Sequence, residues 1–148
     1  MYEPDELLRG DVVFVRADRF IFADEIPETD DAEPIRAVIF ITRDTLGLAN
    51  DLVAWSNRAG MIGSWLGRAP FLGNPYVPRL GPYGSLTVHP SPLEWLRDNR
   101  EGLVLVDEAA AGAELVGLGP FATDDPAFAE HLDAALTQPA PSILVFTD

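Results

Sequence analysis

The chain has no cysteine and no lysine. Without cysteine there is no disulfide framework, no thiol nucleophile and no thiolate metal site. All ten basic residues are arginine. With the abundant alanine, glycine and proline, this is the usage of a GC-rich bacterial genome. No apolar run approaches the roughly 18 residues of a membrane span. The start, Met1-Tyr2-Glu3-Pro4-Asp5-Glu6, lacks the positive charge and apolar stretch of a signal peptide. The expectation is a cytoplasmic protein without membrane contact. Familiar catalytic signatures are missing too: no Gly-x-Ser-x-Gly elbow, Walker loop, Rossmann glycine fingerprint or His-Glu-x-x-His helix. Nothing in the residues calls for a cofactor or a metal.

One absence is local. Between Asp51 and Glu94 there is no carboxylate over 42 residues, in a chain with 24 acids and a net charge of −14. Residues 1–34 carry net −8, residues 35–100 net +3, and residues 101–148 net −9 with no arginine. So acidic a chain is not expected to bind nucleic acid directly, because phosphate contact needs surplus positive charge. It is expected to attract a protein with a basic surface.

What is present is one domain's worth of globular sequence, 148 residues of which 47% are hydrophobic, expected as a single domain over 1–148. Residues 5–9 read as a short helical turn. Asp11 to Ala23 reads as strand, interrupted at Ala17-Asp18-Arg19 by a turn or bulge. Asp24 to Pro34 reads as an acidic loop, and Ile35 to Thr42 as a β-branched strand. Leu52–Ser56 and Met61–Leu66 read as a hairpin around Asn57-Arg58-Ala59-Gly60. If Asn57 pairs with Gly60, Trp55 opposes Ile62, Trp65 opposes Leu52, and these two tryptophans point to opposite faces. A one-residue slip would bring them together. Gly67 to Thr87 has little regular signal.

Ser91-Pro92-Leu93-Glu94 is a capping box with proline at the first helical position, and Gly102 stops that helix. Leu103–Val106 reads as a buried strand and Asp107–Leu115 as an alanine-rich helix. Asp125-Pro126 opens a last helix with Phe128, Leu132, Ala135 and Leu136 inward. Ser142–Phe146 reads as an edge strand. The fold class is α+β: an N-terminal antiparallel sheet, hairpin or meander, with a helix–strand–helix–helix C-terminal half packed against it.

The acid-free segment supplies the first candidate site: Arg58, Arg68 and Arg79, with Trp55, Trp65, Tyr76, Tyr83 and His89. Arginine binds carboxylate or phosphate through paired hydrogen bonds, and flat aromatics stack on planar ligands. The competing reading makes the aromatics core and pairs the arginines with the chain's own acids. The acidic loop supplies Asp24, Glu25, Glu28, Asp30, Asp31 and Glu33 as a docking surface. Its spacing is not that of a calcium loop, and a solvated loop explains it equally. His89 and His131, far apart in sequence, show no metal-ligand spacing.

Val53-Ala54-Trp55-Ser56, Ser64-Trp65-Leu66-Gly67-Arg68-Ala69 and Ser91-Pro92-Leu93-Glu94-Trp95-Leu96-Arg97 together resemble phrases of a bacterial family of short conserved hypothetical proteins associated with mobile elements. The resemblance spans roughly residues 10–137. It implies an accessory role in a plasmid or phage setting and transfers no catalytic residue.

Three functions compete. One is a non-catalytic acidic protein acting through protein–protein contacts, in one form an inhibitor that mimics DNA, as anti-restriction and anti-CRISPR proteins do. The second is a domain, or enzyme, that binds a small anion or nucleotide through segment 52–93. The third is a subunit of a homo-oligomer, such as a homodimer.

Overall fold

The computed structural model describes residues 7–16, 18–26, 31–44, 46–76 and 84–136. Five strands close into a barrel: β1 (Leu7–Arg16), β2 (Arg19–Phe22), β3 (Ile35–Arg43), β4 (Ala49–Ser56) and β5 (Met61–Ser64), in the order β1-β2-β5-β4-β3. All neighbours are antiparallel except β2 and β5, which close the barrel in parallel at Arg19 and Ser64. The Ser64 N–H donates to the Asp18 carbonyl at 2.9 Å across this seam. Closure removes the free edges that an open sheet would expose.

β3 and β4 are apolar on both faces because both are covered. On β3 and β4, Ala37, Ile39, Leu52 and Ala54 join Val12 and Phe20 in one cluster, with Phe14, Phe22 and Trp65 packed on it. The alternate residues Phe40, Val53 and Trp55 form a second cluster with Leu72, Trp95, Val104 and Val106. Two-residue periodicity sends each neighbour to the opposite side.

That second cluster joins the barrel to a second sheet: β6 (Phe71–Leu72), β7 (Leu86–His89), β8 (Leu103–Leu105) and β9 (Phe121–Ala122), in the order β6-β8-β7-β9. β7 is parallel to both β8 and β9, and β6 is antiparallel to β8. Helix α1 (Pro92–Arg97) links β7 to β8, α2 (Glu108–Glu114) links β8 to β9, and α3 (Pro126–Leu136) follows. Trp95 of α1 packs on the barrel side. Ala111 of α2, Leu115 just beyond it and Leu136 of α3 pack with Leu86 and Leu103 in a third cluster. The two crossovers run in opposite directions along the sheet, so right-handed connections place α1 and α2 on opposite faces.

The α+β reading holds, with an N-terminal sheet and C-terminal helices, and the structure adds the closure and the second sheet. The hairpin register is the one with Asn57 and Gly60 paired: the Gly60 N–H donates to the Asn57 carbonyl at 3.3 Å and Trp55 opposes Ile62. The two tryptophans accordingly enter different clusters. The interruption near Asp18 is a turn between β1 and β2, with an irregularity between Phe14 and Arg16.

Two expectations change. Residues 7–9 are strand, not helix, because Leu7, Leu8 and Arg9 pair with Phe40, Ile39 and Val38; tertiary pairing overrides local preference. Within Gly67 to Thr87, Phe71–Leu72 is strand and β7 begins at Leu86. Two- and four-residue runs between glycines and prolines are too short to show a period. Ser142–Phe146 lies outside the described residues.

Asp107 and Asp125 cap their helices. Asp107 accepts from the Ala110 N–H at 3.2 Å, and Asp125 from Ala127 at 3.0 Å and Phe128 at 3.3 Å. The box at α1 is altered. The Ser91 hydroxyl makes no bond to the helix backbone and donates instead to the Glu94 carboxylate. This bond, aided by Arg97 and His89, holds the Glu94 carboxyl below its ordinary value of 4.5, against a smaller opposing effect of burial. A depressed carboxyl stabilises the fold fully above the unfolded value, and the contribution disappears as pH falls through the folded value. Ser91→Ala is therefore expected to destabilise at pH 7 and to have little effect at pH 3. Urea unfolding of both proteins at the two pH values measures this; an equal difference at both would contradict it.

Candidate functional site

A cavity of about 490 Å³ opens where the end of β3, the start of β4, the segment around β6 and the end of α1 meet. Three arginines line it: Arg43 from β3, Arg68 from the segment after β5, and Arg100 from the turn after α1. Thr42, Asn50, Asn74 and Tyr76 add polar groups.

Each arginine is placed by a separate device. The Arg68 backbone is held by Asp51, a carboxylate that is only 4% exposed. Asp51 Oδ1 accepts from the N–H groups of Leu52 at 2.7 Å and Leu66 at 2.8 Å, and Oδ2 from Arg68 at 2.8 Å and Ala69 at 3.1 Å. One side chain thus ties residues 66–69 to β4 and sets where the Arg68 side chain starts. Arg100 has a left-handed backbone, φ 62°, after Asn99 at φ 55°. Its N–H donates to the Trp95 carbonyl at 2.8 Å and its guanidinium lies 5.5 Å from the Trp95 ring centre. A non-glycine residue held there stores strain of about 1 kcal/mol or more, a feature that clusters at functional sites. Arg43 donates to the Gly47 carbonyl at 3.2 Å, which anchors its guanidinium at the β3–β4 turn.

Two carboxylates, Asp44 and Glu114, also line the cavity. Asp44 Oδ1 is engaged by the N–H groups of Leu46 at 2.9 Å and Leu48 at 3.0 Å, inside the β3–β4 turn. Among the described residues, three guanidinium groups against two carboxylates give this lining a positive balance in a chain of net −14.

Of the residues expected at the site, Arg68 and Tyr76 are in the cleft. Arg58 is exposed in the β4–β5 turn and does not line it. Arg79 and Tyr83 lie outside the described residues. Trp55 is core, 8% exposed, so it is no stacking platform for a ligand. Trp65 packs edge-on to Phe22 at 5.5 Å and donates Nε1–H to Glu25 at 3.2 Å. His89 lines a different cavity.

In the acidic segment, Asp24, Asp31 and Glu33 are exposed, while Glu28 and Asp30 lie outside the described residues. Glu25 also accepts from the Phe22 N–H at 2.7 Å, so it is tied to its own chain rather than held out for a partner. Arg36 meets Asp11 at 3.7 Å and Arg16 meets Asp18 at 3.5 Å. Arg43, Arg100 and Asp51 were not among the expected residues. Asp51 carried a signal: it is a charged residue opening an apolar strand at the border of the acid-free segment.

Among the described residues no helix is long and apolar enough to cross a membrane. None of their His, Asp and Glu side chains form a group of three that could hold a metal ion. No family model, curated protein or solved structure matches the chain.

Proposed function

We propose that the protein is a binding module for a small anion, a phosphorylated or carboxylated molecule held by the arginine cleft. The observation that carries this reading is the convergence of Arg43, Arg68 and Arg100, from three separate elements, on one concave site. The volume is that of a small-molecule pocket. Guanidinium groups pair with carboxylate or phosphate through two parallel hydrogen bonds, and Tyr76 offers a flat face beside them.

A thermal-shift series with pyrophosphate, ATP and citrate tests it. A ligand at 100 times its dissociation constant adds about 2.7 kcal/mol, which for a chain of this length raises the melting temperature by roughly 5–10 °C. Arg68→Gln, at an exposed side chain, is expected to fold normally and to lose the shift. No shift with any of the three would contradict the reading.

A second reading has its own observation. The stretch holding α2 and α3 carries exposed Glu108, Glu114, Asp124, Asp125, Glu130 and Asp133, and residues 101–148 contain no arginine or lysine. An acidic layer of this kind suits a partner protein with a basic surface, including a nucleic-acid enzyme that the protein would inhibit. Affinity capture from the native host at low salt, followed by binding of the purified partner, tests it. Reversal of Glu130 and Asp133 to arginine should abolish that binding; an undiminished interaction would contradict it.

A further inference from the structure

The crossovers of the second sheet create a crevice. The connection leaving β7 carries α1 on the barrel side, and the one leaving β8 carries α2 on the far side. β7 and β8 are parallel neighbours, paired at Val88–Leu103 and His89–Val104. Where adjacent parallel strands send their connections to opposite faces, a gap opens beyond their carboxyl ends, and open α/β sheets bind ligands there. A cavity of about 770 Å³ occupies this place and shares no lining residue with the arginine cleft.

The chain's two histidines, 42 positions apart in sequence, both line it. His89 ends β7, and His131 lies on α3. His89 Nε2 lies 2.8 Å from the Glu101 carbonyl and 3.4 Å from Asp98 Oδ2, and its side chain is only 12% exposed. His131 Nε2 is hydrogen-bonded to the Glu108 carboxylate. Carbonyl and carboxylate oxygens only accept, so in both rings Nε2 carries the proton. In the neutral ring Nδ1 is then a hydrogen-bond acceptor. The Glu108 carboxylate, in the same cavity, has acceptor sites beyond the one His131 fills.

The remaining surroundings narrow the ligand further. Ile62, Leu105 and Val106 supply an apolar wall. Phe128 lies nearly parallel to the His131 ring, 6.1 Å between centres and 21° between planes, a stacked pair that offers an aromatic face. Among the described residues Arg16 is the one arginine of the lining, and it faces Asp18 at 3.5 Å. The site is therefore rich in acceptors, partly apolar and partly aromatic, with no surplus positive charge to hold an anion.

We propose that this cleft binds an uncharged planar heteroaromatic that bears N–H donors, the chemistry of a free nucleobase. Its ring rests on the Phe128–His131 surface, and its N–H groups donate to imidazole Nδ1 and to Glu108.

Proton–carbon NMR of the imidazole rings tests this directly, since two histidines give two Hε1 signals that His131→Gln assigns. The probes are adenine and cytosine, with pyrophosphate as the charged comparison. At least one base should shift both signals along a single saturating curve, and pyrophosphate should not. Glu108→Ala should weaken the affinity at least about tenfold, the loss expected for a hydrogen bond to a charged acceptor. Arg68→Gln should leave it unchanged. The proposal is overturned if neither base moves the signals, or if only the more exposed His131 ring responds. It is also overturned if a Glu108→Ala protein with unchanged circular dichroism binds as tightly as the native chain.

Discussion

Asp51→Ala is expected to destabilise the protein by about 4 kcal/mol, the largest effect of any single side-chain truncation outside the apolar clusters. The carboxylate is buried and accepts four backbone N–H groups. A hydrogen bond to a charged acceptor contributes about 1.5–3 kcal/mol, and a buried donor left unsatisfied costs about 1–3 kcal/mol. The four bonds do not add in full, because exposed Leu66 and Arg68 can recover water at their N–H groups. Asp51→Asn should fare little better. Its amide can turn one oxygen toward the donors, but its NH₂ must then face the other pair of N–H groups. For a chain of this size the loss lowers the melting temperature by roughly 10 °C. Because Asp51 also fixes the Arg68 and Ala69 backbone at the cleft, the variant should lose anion binding even where it remains folded. Urea unfolding that differs from the native chain by less than about 1 kcal/mol would show that the carboxylate does not hold this loop.

Gly63→Ala is expected to cost about 3 kcal/mol and to open the barrel at its parallel seam. A Cβ at Gly63 would lie 2.8 Å from the Arg19 nitrogen and 2.9 Å from the Asp18 carbonyl carbon. Both contacts are backbone, so no side-chain rotation relieves them. Gly63 sits beside Ser64, the residue that pairs with Arg19 and closes the barrel. A glycine inside a strand normally weakens it; here it marks the close approach of another backbone. The displaced element is β2, which carries Phe20 of the first cluster. Hydrogen exchange reports this locally, since the Ser64 amide is bonded across the seam. That amide should lose protection in the variant by more than the amides of β3. Uniform loss, or none, would argue against a seam held by this contact.

These two residues also mark how far the fold was legible. β3 and β4 are covered on both sides, by the barrel interior on one and the second sheet on the other, whereas the run Asp11–Ala23, apolar at both parities, leaves Val15 55% exposed. The helix starts were legible at Asp107 and Asp125 because a cap is a local arrangement of a side chain and the next few N–H groups. The closure between β2 and β5 was not legible. It joins residues 45 positions apart, at Arg19 and Ser64, through one parallel pairing that leaves no periodic trace. β7 and β6 were lost for a related reason: short runs become strands only beside β8.

The acid-free segment led to Arg68 and Tyr76, and its chemistry pointed to anions. The partners that complete the cleft, Arg43 and Arg100, lie outside that segment and arrive by folding. The same holds for the histidines, which look unrelated in sequence and line one cavity because the end of β7 and the middle of α3 border the same crevice. Charge counting had a similar limit. The ion pair of Arg36 with Asp11 couples the positive middle to the acidic N-terminal part, whereas the acids of α2 and α3 have no arginine within residues 101–148.

The most direct test of the arginine cleft is calorimetric titration with pyrophosphate at low ionic strength, on the native chain, Arg68→Gln and His131→Gln. The predicted result is a single saturable site in the native protein, weakened by added salt, lost in Arg68→Gln and unchanged in His131→Gln. Absence of heat in the native chain, or the same binding curve in Arg68→Gln, would contradict it.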